Sequence, residues 1–469
     1  MPHLVWLRRD LRVTDNPALS AACANTGDVI TCVGLPDAQW QSHDLGAPAR
    51  NLYQRRLTPL TADLCALNIP LLMLDGATFA DQVNGLQALC KHHGITAVYV
   101  NREYEFNERA RDRAVDQALA ACSIQVHWFD DQCLVPPQTL KTGQGGPYSV
   151  FTPYRRRWEA SLREEFNAPL SAPARRPALT LAPARLTAPD DPLAALWPVD
   201  NDSIQTRLER FVARPLDRYQ TDRDLPALEG TSSLSPYLAI GAISARQVLH
   251  AVLQAAPHAL DGASDANTFV SELAWRDFYK NLLVEAPRVS RARPFKVTTE
   301  TLPWNPPGEA FERWCQGQTG VPLVDAAMRQ LNTTGWMHNR CRMVVAMFLT
   351  KNLFIDWRHG ERYFMQRLVD ADLAANNGGW QWSASTGTDA APYFRIMNPV
   401  SQSQRFDKNG DYIRRWVPEL AAQDAKTIHA PFDAKAHPIG LKYPKPMVDL
   451  KRSRQQAIDT FKAHQQDSA

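Results

Sequence analysis

The sequence lacks the usual loops for holding phosphate. Its first strand-like run, HLVWL, is followed by RRDLRVTDNPAL and not by a G-x-G-x-x-G turn, and no G-x-x-x-x-G-K-[ST] occurs anywhere. The eight cysteines (23, 32, 65, 90, 122, 133, 315, 341) form no C-x-x-C pair and have no His partner at ligand spacing. Neither a metal site nor a disulfide scaffold is expected, and buried free thiols are the reading. No apolar run approaches the length of a membrane span, and MPHLVWLRRDLRV meets arginines too early to hold a signal-peptide core. A cytoplasmic protein is expected. One-sided charge is missing as well: the net charge is +3, and between 201 and 420 the 25 Lys and Arg nearly cancel 23 Asp and Glu. Any nucleic-acid surface must therefore arise from spatial clustering.

What is present is an ordinary globular composition, 44% hydrophobic and 22% charged over 469 residues, enough for two or three domains. From the start to 134, the runs HLVWL, VITCVGL, IPLLML, ITAVYV and IQVHWF alternate with helical patterns. That alternation predicts a parallel sheet wound with helices. Residues 135–200 read as a connector, because the repeated prolines of NAPLSAPARRPALTLAPARLTAPDDP oppose helix and sheet alike. From 201 to 469, amphipathic segments such as SIQTRLERFVA, TFVSELAWRDFYKNLLVEA, VPLVDAAMRQLN and WMHNRCRMVVAMFLTKNLF predict an almost wholly helical domain. The fold class expected is α/β plus all-α.

Several constellations stand out. In ELAWRDFY, Glu272, Trp275, Arg276 and Tyr279 share one helical face, and Trp336, Asn339, Arg340 and Met343 repeat the spacing in WMHNRCRM. Faces that mix aromatic, charged and amide groups suit a pocket for a flat polar ligand; a partly solvated surface explains them equally well. In EGTSSLSPYLAIG, Thr231, Ser232, Ser233 and Ser235 precede an apolar segment, where they serve either as an ordinary helix cap or as donors to phosphate. Residues 376–395, NNGGWQWSASTGTDAAPYFR, show no hydrophobic period and read as loop around Trp380 and Trp382, and DADLAANNGG places Asp370 and Asp372 beside Asn376 in a loop.

Read together, EGTSSLS, ELAWRDFY, TGWMHNRCRM, DWRHGERYF, DADLAANNGGWQWSASTGTDAAPYFRIMNP and WVPEL resemble the photolyase/cryptochrome family, in order and spacing, across nearly the whole chain. Within it, the bacterial class I enzymes that repair cyclobutane pyrimidine dimers are most similar. The resemblance implies a parallel-sheet, Rossmann-like N-terminal domain joined by the connector to a helical domain that holds FAD and DNA. It assigns Tyr219, Thr231, Ser232, Ser233, Leu234 and Ser235 to the FAD phosphates, Asp370, Ala371 and Asp372 to the ribityl and ring region, with Arg342 paired to Asp370, and Asn376 to flavin N5. An amide at N5 leans toward repair. Trp380, Trp357 and Trp304 match an electron-hopping chain. Trp275 and Trp382 match the walls of the lesion pocket, Glu272 and Asn339 its polar contacts, and Arg223 and Arg340 the cations for flanking phosphates. Met343 stands where the related six-four enzymes are expected to have a catalytic His.

The activity implied is light-driven splitting of the flipped-out dimer by an electron from excited, fully reduced FAD. An antenna is also implied, with Asn107 and Glu108 matching contacts to methenyltetrahydrofolate. Arg291 stands where folate binders can have Lys, so a deazaflavin or flavin antenna stays open. DNA containing pyrimidine dimers is the expected partner of a monomer needing no membrane and no obligatory protein partner. The rival is a cryptochrome-type photoreceptor signalling through a protein partner. Such proteins often carry a long C-terminal tail, whereas 49 residues follow WVPEL.

Overall fold

The computed structural model describes residues 2–432 and 440–467. Five parallel strands, β1 (His3–Leu7), β2 (Val29–Gly34), β3 (Leu71–Leu74), β4 (Ala97–Asn101) and β5 (Gln125–Phe129), form one sheet in the order β3-β2-β1-β4-β5. All five runs picked out in the sequence are strands. Continuous apolar sequence suits the inner ones, because crossover helices cover both faces of a parallel sheet. Leu4, Trp6, Ile30, Cys32, Val98 and Val100 pack with Leu86 and Val115 from the helices Phe79–His93 and Phe106–Ala120. The first of these helices opens with a reciprocal Thr78–Asp81 capping box, which satisfies two free N–H groups at its start.

By compactness the chain divides into two units. The first comprises Met1–Asp217, Ser232–Pro287 and Val369–Ala374; the second comprises Arg218–Thr231, Arg288–Leu368 and Ala375–Ala469. The helices Asn201–Ala213 and Asp265–Glu285 thus group with the sheet. Residues 165–190 form neither helix nor strand. They lie along the first unit, where Arg176 donates to the carbonyls of Cys23, Asn25 and Gly27.

Three local expectations need correction. The connector contains a helix, Phe151–Glu164, whose apolar positions Phe151, Tyr154, Trp158 and Leu162 are buried at helical spacing. Trp336 is not on a helix with Asn339: Gly335, at φ 68°, ends the helix Pro322–Thr334, and the next, Asn339–Met347, begins after the His338 cap. Most important, the segment read as a loop is the helix Leu373–Ala384. Residues 374, 376–378, 380, 381, 383 and 384 are buried, and the more open face, with Ala375 exposed and Gly379 and Trp382 half-buried, carries no charged residue, so polarity does not mark a period. Its two glycines cost about 1 kcal/mol each in propensity, which tertiary packing overrides.

Candidate functional site

In the first unit, the helix Asp265–Glu285 carries the face with Glu272, Trp275, Arg276 and Tyr279, all half-buried. Trp275 lies flat on Phe151, with ring centres 3.6 Å apart and planes 9° apart, so protein fixes one side of the indole. The helix itself is pinned by buried polar groups. Asp277 Oδ2 accepts from the backbone N–H of Leu134 and Val135 at 2.8 and 3.0 Å and from Trp158 Nε1 at 2.9 Å. Asn281 Oδ1 accepts from Gln138 N at 2.8 Å, and Arg276 donates to the Gln132 carbonyl.

Two of the predicted cofactor residues of this unit meet each other, and a third meets a lysine that was not predicted. Ser235 Oγ donates to Asp370 Oδ2 at 2.6 Å, and Lys280 Nζ donates to Asp372 Oδ2 at 2.8 Å. Burial works to raise the Asp372 pKa, yet the charges of Lys280, Arg276 and Arg9 hold it well below the usual carboxylate range. Asp372 is therefore ionised and can only accept hydrogen bonds. Ser232 and Ser233 are half-buried in the turn before the short helix Ser235–Ala239, with Ser233 at φ 50° and Leu234 buried at the cap position.

The two antenna candidates diverge, as adjacent helical residues must. Asn107 is exposed and hydrogen-bonds His43 Nε2 at 2.8 Å, whereas Glu108 is buried. Glu108 lines a narrow cavity of about 60 Å3 with Arg8, Arg9, Arg111, Trp40, Phe79 and the predicted cofactor residue Ala371. Burial, reinforced by Glu105 and Glu103, pushes the Glu108 carboxyl up.

In the second unit, Asn376 Nδ2 donates to the Glu361 carbonyl at 2.9 Å, which leaves Oδ1 as an acceptor. The neighbouring Asn377 donates to Glu361 Oε1 at 2.7 Å and accepts from Gln381 at 2.9 Å. Trp380 is 2% exposed and packs against Phe364 and Trp314. Its ring rests on Gly360: a Cβ there would come within 2.1 to 2.6 Å of three indole carbons. Gly360 belongs to the helix Trp357–Arg367, whose first residue, Trp357, is 1% exposed. Trp304 is half-buried and meets Phe354 and Phe461, and Trp382 is half-buried.

Arg340 Nη2 lies 2.6 Å from Asp224 Oδ2, and Arg223 Nε lies 4.0 Å from Asp224 Oδ1, so one carboxylate gathers both predicted phosphate cations. The Arg223 guanidinium sits 5.5 Å from the centre of the Tyr219 ring. Thr231 is half-buried. Asn339 is exposed and Met343 half-buried, one turn apart on the same helix. Arg342 Nε donates to the Met337 carbonyl at 2.8 Å. His338 caps this helix by accepting from Arg340 N at 3.2 Å, and burial lowers its pKa to about 4, keeping the ring neutral as an acceptor.

Sequence reasoning missed Phe151, Lys280, Gly360, Glu361 and Asp224. Only Gly360 left a signal, a glycine inside the otherwise helical DWRHGERYF.

Residues 3–174 match the family model described as DNA photolyase, and residues 269–463 match the FAD binding domain of DNA photolyase. The deoxyribodipyrimidine photo-lyase of Salmonella typhimurium is 43% identical over 98% of each chain. Among solved structures, a bacterial class III photolyase from Agrobacterium tumefaciens superposes with a TM-score of 0.88 at 35% identity, covering 99% of this chain and 98% of that one. A Synechocystis cryptochrome superposes at 0.86 with 27% identity, covering 98% and 99%. Sequence and fold agree: this chain belongs to the DNA photolyase family.

Proposed function

We propose that the protein repairs cyclobutane pyrimidine dimers in DNA as a light-driven deoxyribodipyrimidine photo-lyase with FAD as its cofactor, working as a cytoplasmic monomer. The observation that carries this reading is the full-length alignment, at 43% identity, with a relative of that name.

The donor set fits FAD. Hydroxyls at 231–235 suit a diphosphate, and an acceptor-only Asp372 suits ring or sugar donors. Asn376, its amide oriented by Glu361, offers an oxygen to a protonated ring nitrogen. The Arg342–Asp370 pair belongs to the same reading. Bound FAD, fully reduced and excited by light, supplies an electron to the dimer and recovers it after the ring opens.

The chain's own residues do the rest. Arg223 and Arg340 exchange Asp224 for DNA phosphates, so binding weakens as salt rises. Trp275, backed by Phe151, and Trp382 stack on the flipped pyrimidines. Glu272, in its protonated form, and Asn339 donate to a thymine carbonyl as negative charge grows on it, and Met343, in place of a His, suits the cyclobutane substrate. Trp380, Trp357 and Trp304 relay electrons from the surface when the cofactor needs reduction. Methenyltetrahydrofolate at Asn107 and Glu108 is the antenna of this reading. The arginine- and aromatic-lined cavity beside Glu108 supports a flat deazaflavin or flavin as the second. Absorption of the chromophore released on denaturation separates the two.

The deciding experiment mixes the purified protein with dimer-containing DNA and compares light with dark. Restored thymines under illumination only are expected. No restoration in either, with FAD bound, would favour the photoreceptor reading.

A further inference from the structure

Lys280 has an unusual place for a lysine. It sits on the helix Asp265–Glu285 at 1% exposure, and its ammonium meets the Asp372 carboxylate, 92 positions away in sequence, at 2.8 Å. A buried ion pair seldom stabilises a fold more than an apolar pair of the same size, because both charges lose their water. Its use lies elsewhere. Here the carboxylate belongs to the 370–372 segment assigned to the cofactor, and the same helix carries Glu272 about two turns earlier and Trp275 about one and a half. Ser235 steadies Asp370, the other acid of that segment.

We propose that Lys280 is a positioning residue for the cofactor: it orients the Asp372 side chain and cancels its charge beside a flavin that works as an anion. The proposal rests on assigning 370–372 to FAD. With one oxygen taken by Lys280, the plane of the carboxylate is set. Without the lysine charge, burial acts on the carboxyl with its largest opposing charge removed, and Arg276 and Arg9 remain against it. The group then either takes up a proton within the working pH range or stands as an uncancelled negative charge. The first outcome makes FAD affinity fall as pH falls. The second disfavours the reduced flavin and lowers its reduction potential.

The test uses full-length protein stripped of FAD and reconstituted. Lys280→Gln keeps a donor of similar length without the charge; Lys280→Arg keeps both. Wild type is expected to bind FAD with an affinity that is flat with pH. Lys280→Gln should lose on the order of tenfold in affinity and either acquire a pH-dependent affinity or show a lower reduction potential, and Lys280→Arg should restore the wild-type behaviour. Melting of the apoproteins reports folding separately. Should Lys280→Gln be unstable alone, Lys280→Gln with Asp372→Asn removes both charges and must abolish the pH dependence. A folded Lys280→Gln with wild-type affinity, pH profile and potential would overturn the inference. Failure of wild type itself to take up FAD would instead overturn the cofactor assignment beneath it.

Discussion

The helices Asp265–Glu285 and Leu373–Ala384 both carry predicted functional residues, yet they are held by opposite means. The first is pinned by charge and hydrogen bonds: Asp277, Lys280 and Asn281 are buried, and each answers a named partner. The second contains no charged residue and is seated by shape and amides. Gly360 yields space to the Trp380 ring, while Asn376, Asn377 and Gln381 are satisfied by Glu361 and by one another. The contrast teaches that a helix can be anchored through a few buried polar partners or through a close fit along its buried side, and that each way leaves another face open. It also separates sensitivities: the first helix should fail when a partner is removed, the second when an atom is added.

The largest effect should come from Asp277→Ala, which leaves three buried N–H donors without their acceptor. At about 1–3 kcal/mol per stranded group, a loss of at least ~3 kcal/mol is expected in denaturant unfolding. A loss below about 1 kcal/mol would break the comparison on its ionic side. Next is Gly360→Ala. Alanine gains about 1 kcal/mol in helix propensity, but overpacking against an indole costs typically 1–3 kcal/mol. A net destabilisation of about 1 kcal/mol should accompany slower photoreduction of oxidised flavin, read by absorbance under lamp light. A more stable variant with unchanged photoreduction would show that the ring is not seated by the glycine.

Trp304→Phe removes a half-buried indole and should change stability by less than about 1 kcal/mol. Photoreduction should be blocked, while enzyme reduced chemically still repairs dimers. Intact photoreduction would redraw the electron route. A pH-dependent effect attaches to Glu108, whose folded pKa lies above its unfolded value. Between those values the native state holds the extra proton, so Glu108 costs stability as pH rises through that window. Glu108→Gln should thus melt close to wild type near about pH 5 and above it near pH 8. Equal melting shifts at both would remove Glu108 titration from the account.

The sheet was legible because each strand is a short apolar run bounded by helical pattern, a signal carried by neighbours in sequence. The helix Asp265–Glu285 was legible on its ligand face and illegible on its buried one, since Asp277 and Lys280 in WRDFYK read as solvated charges until partners 92 to 143 positions away appear. The helix Leu373–Ala384 was illegible throughout, because its more open face is made of Ala375, Gly379 and Trp382 while amides are buried on the other, so it has no amphipathic period, and its glycines argue for a turn.

By itself, then, the order of residue types determined the class of architecture and the family, which depend on local pattern and on many matched positions. Only the tertiary structure decided which acids are ionised, which amide faces which carbonyl and where a ring needs a glycine beneath it. Those are properties of pairs brought together by folding, and desolvation and contact distance act on such pairs without leaving a trace in local sequence.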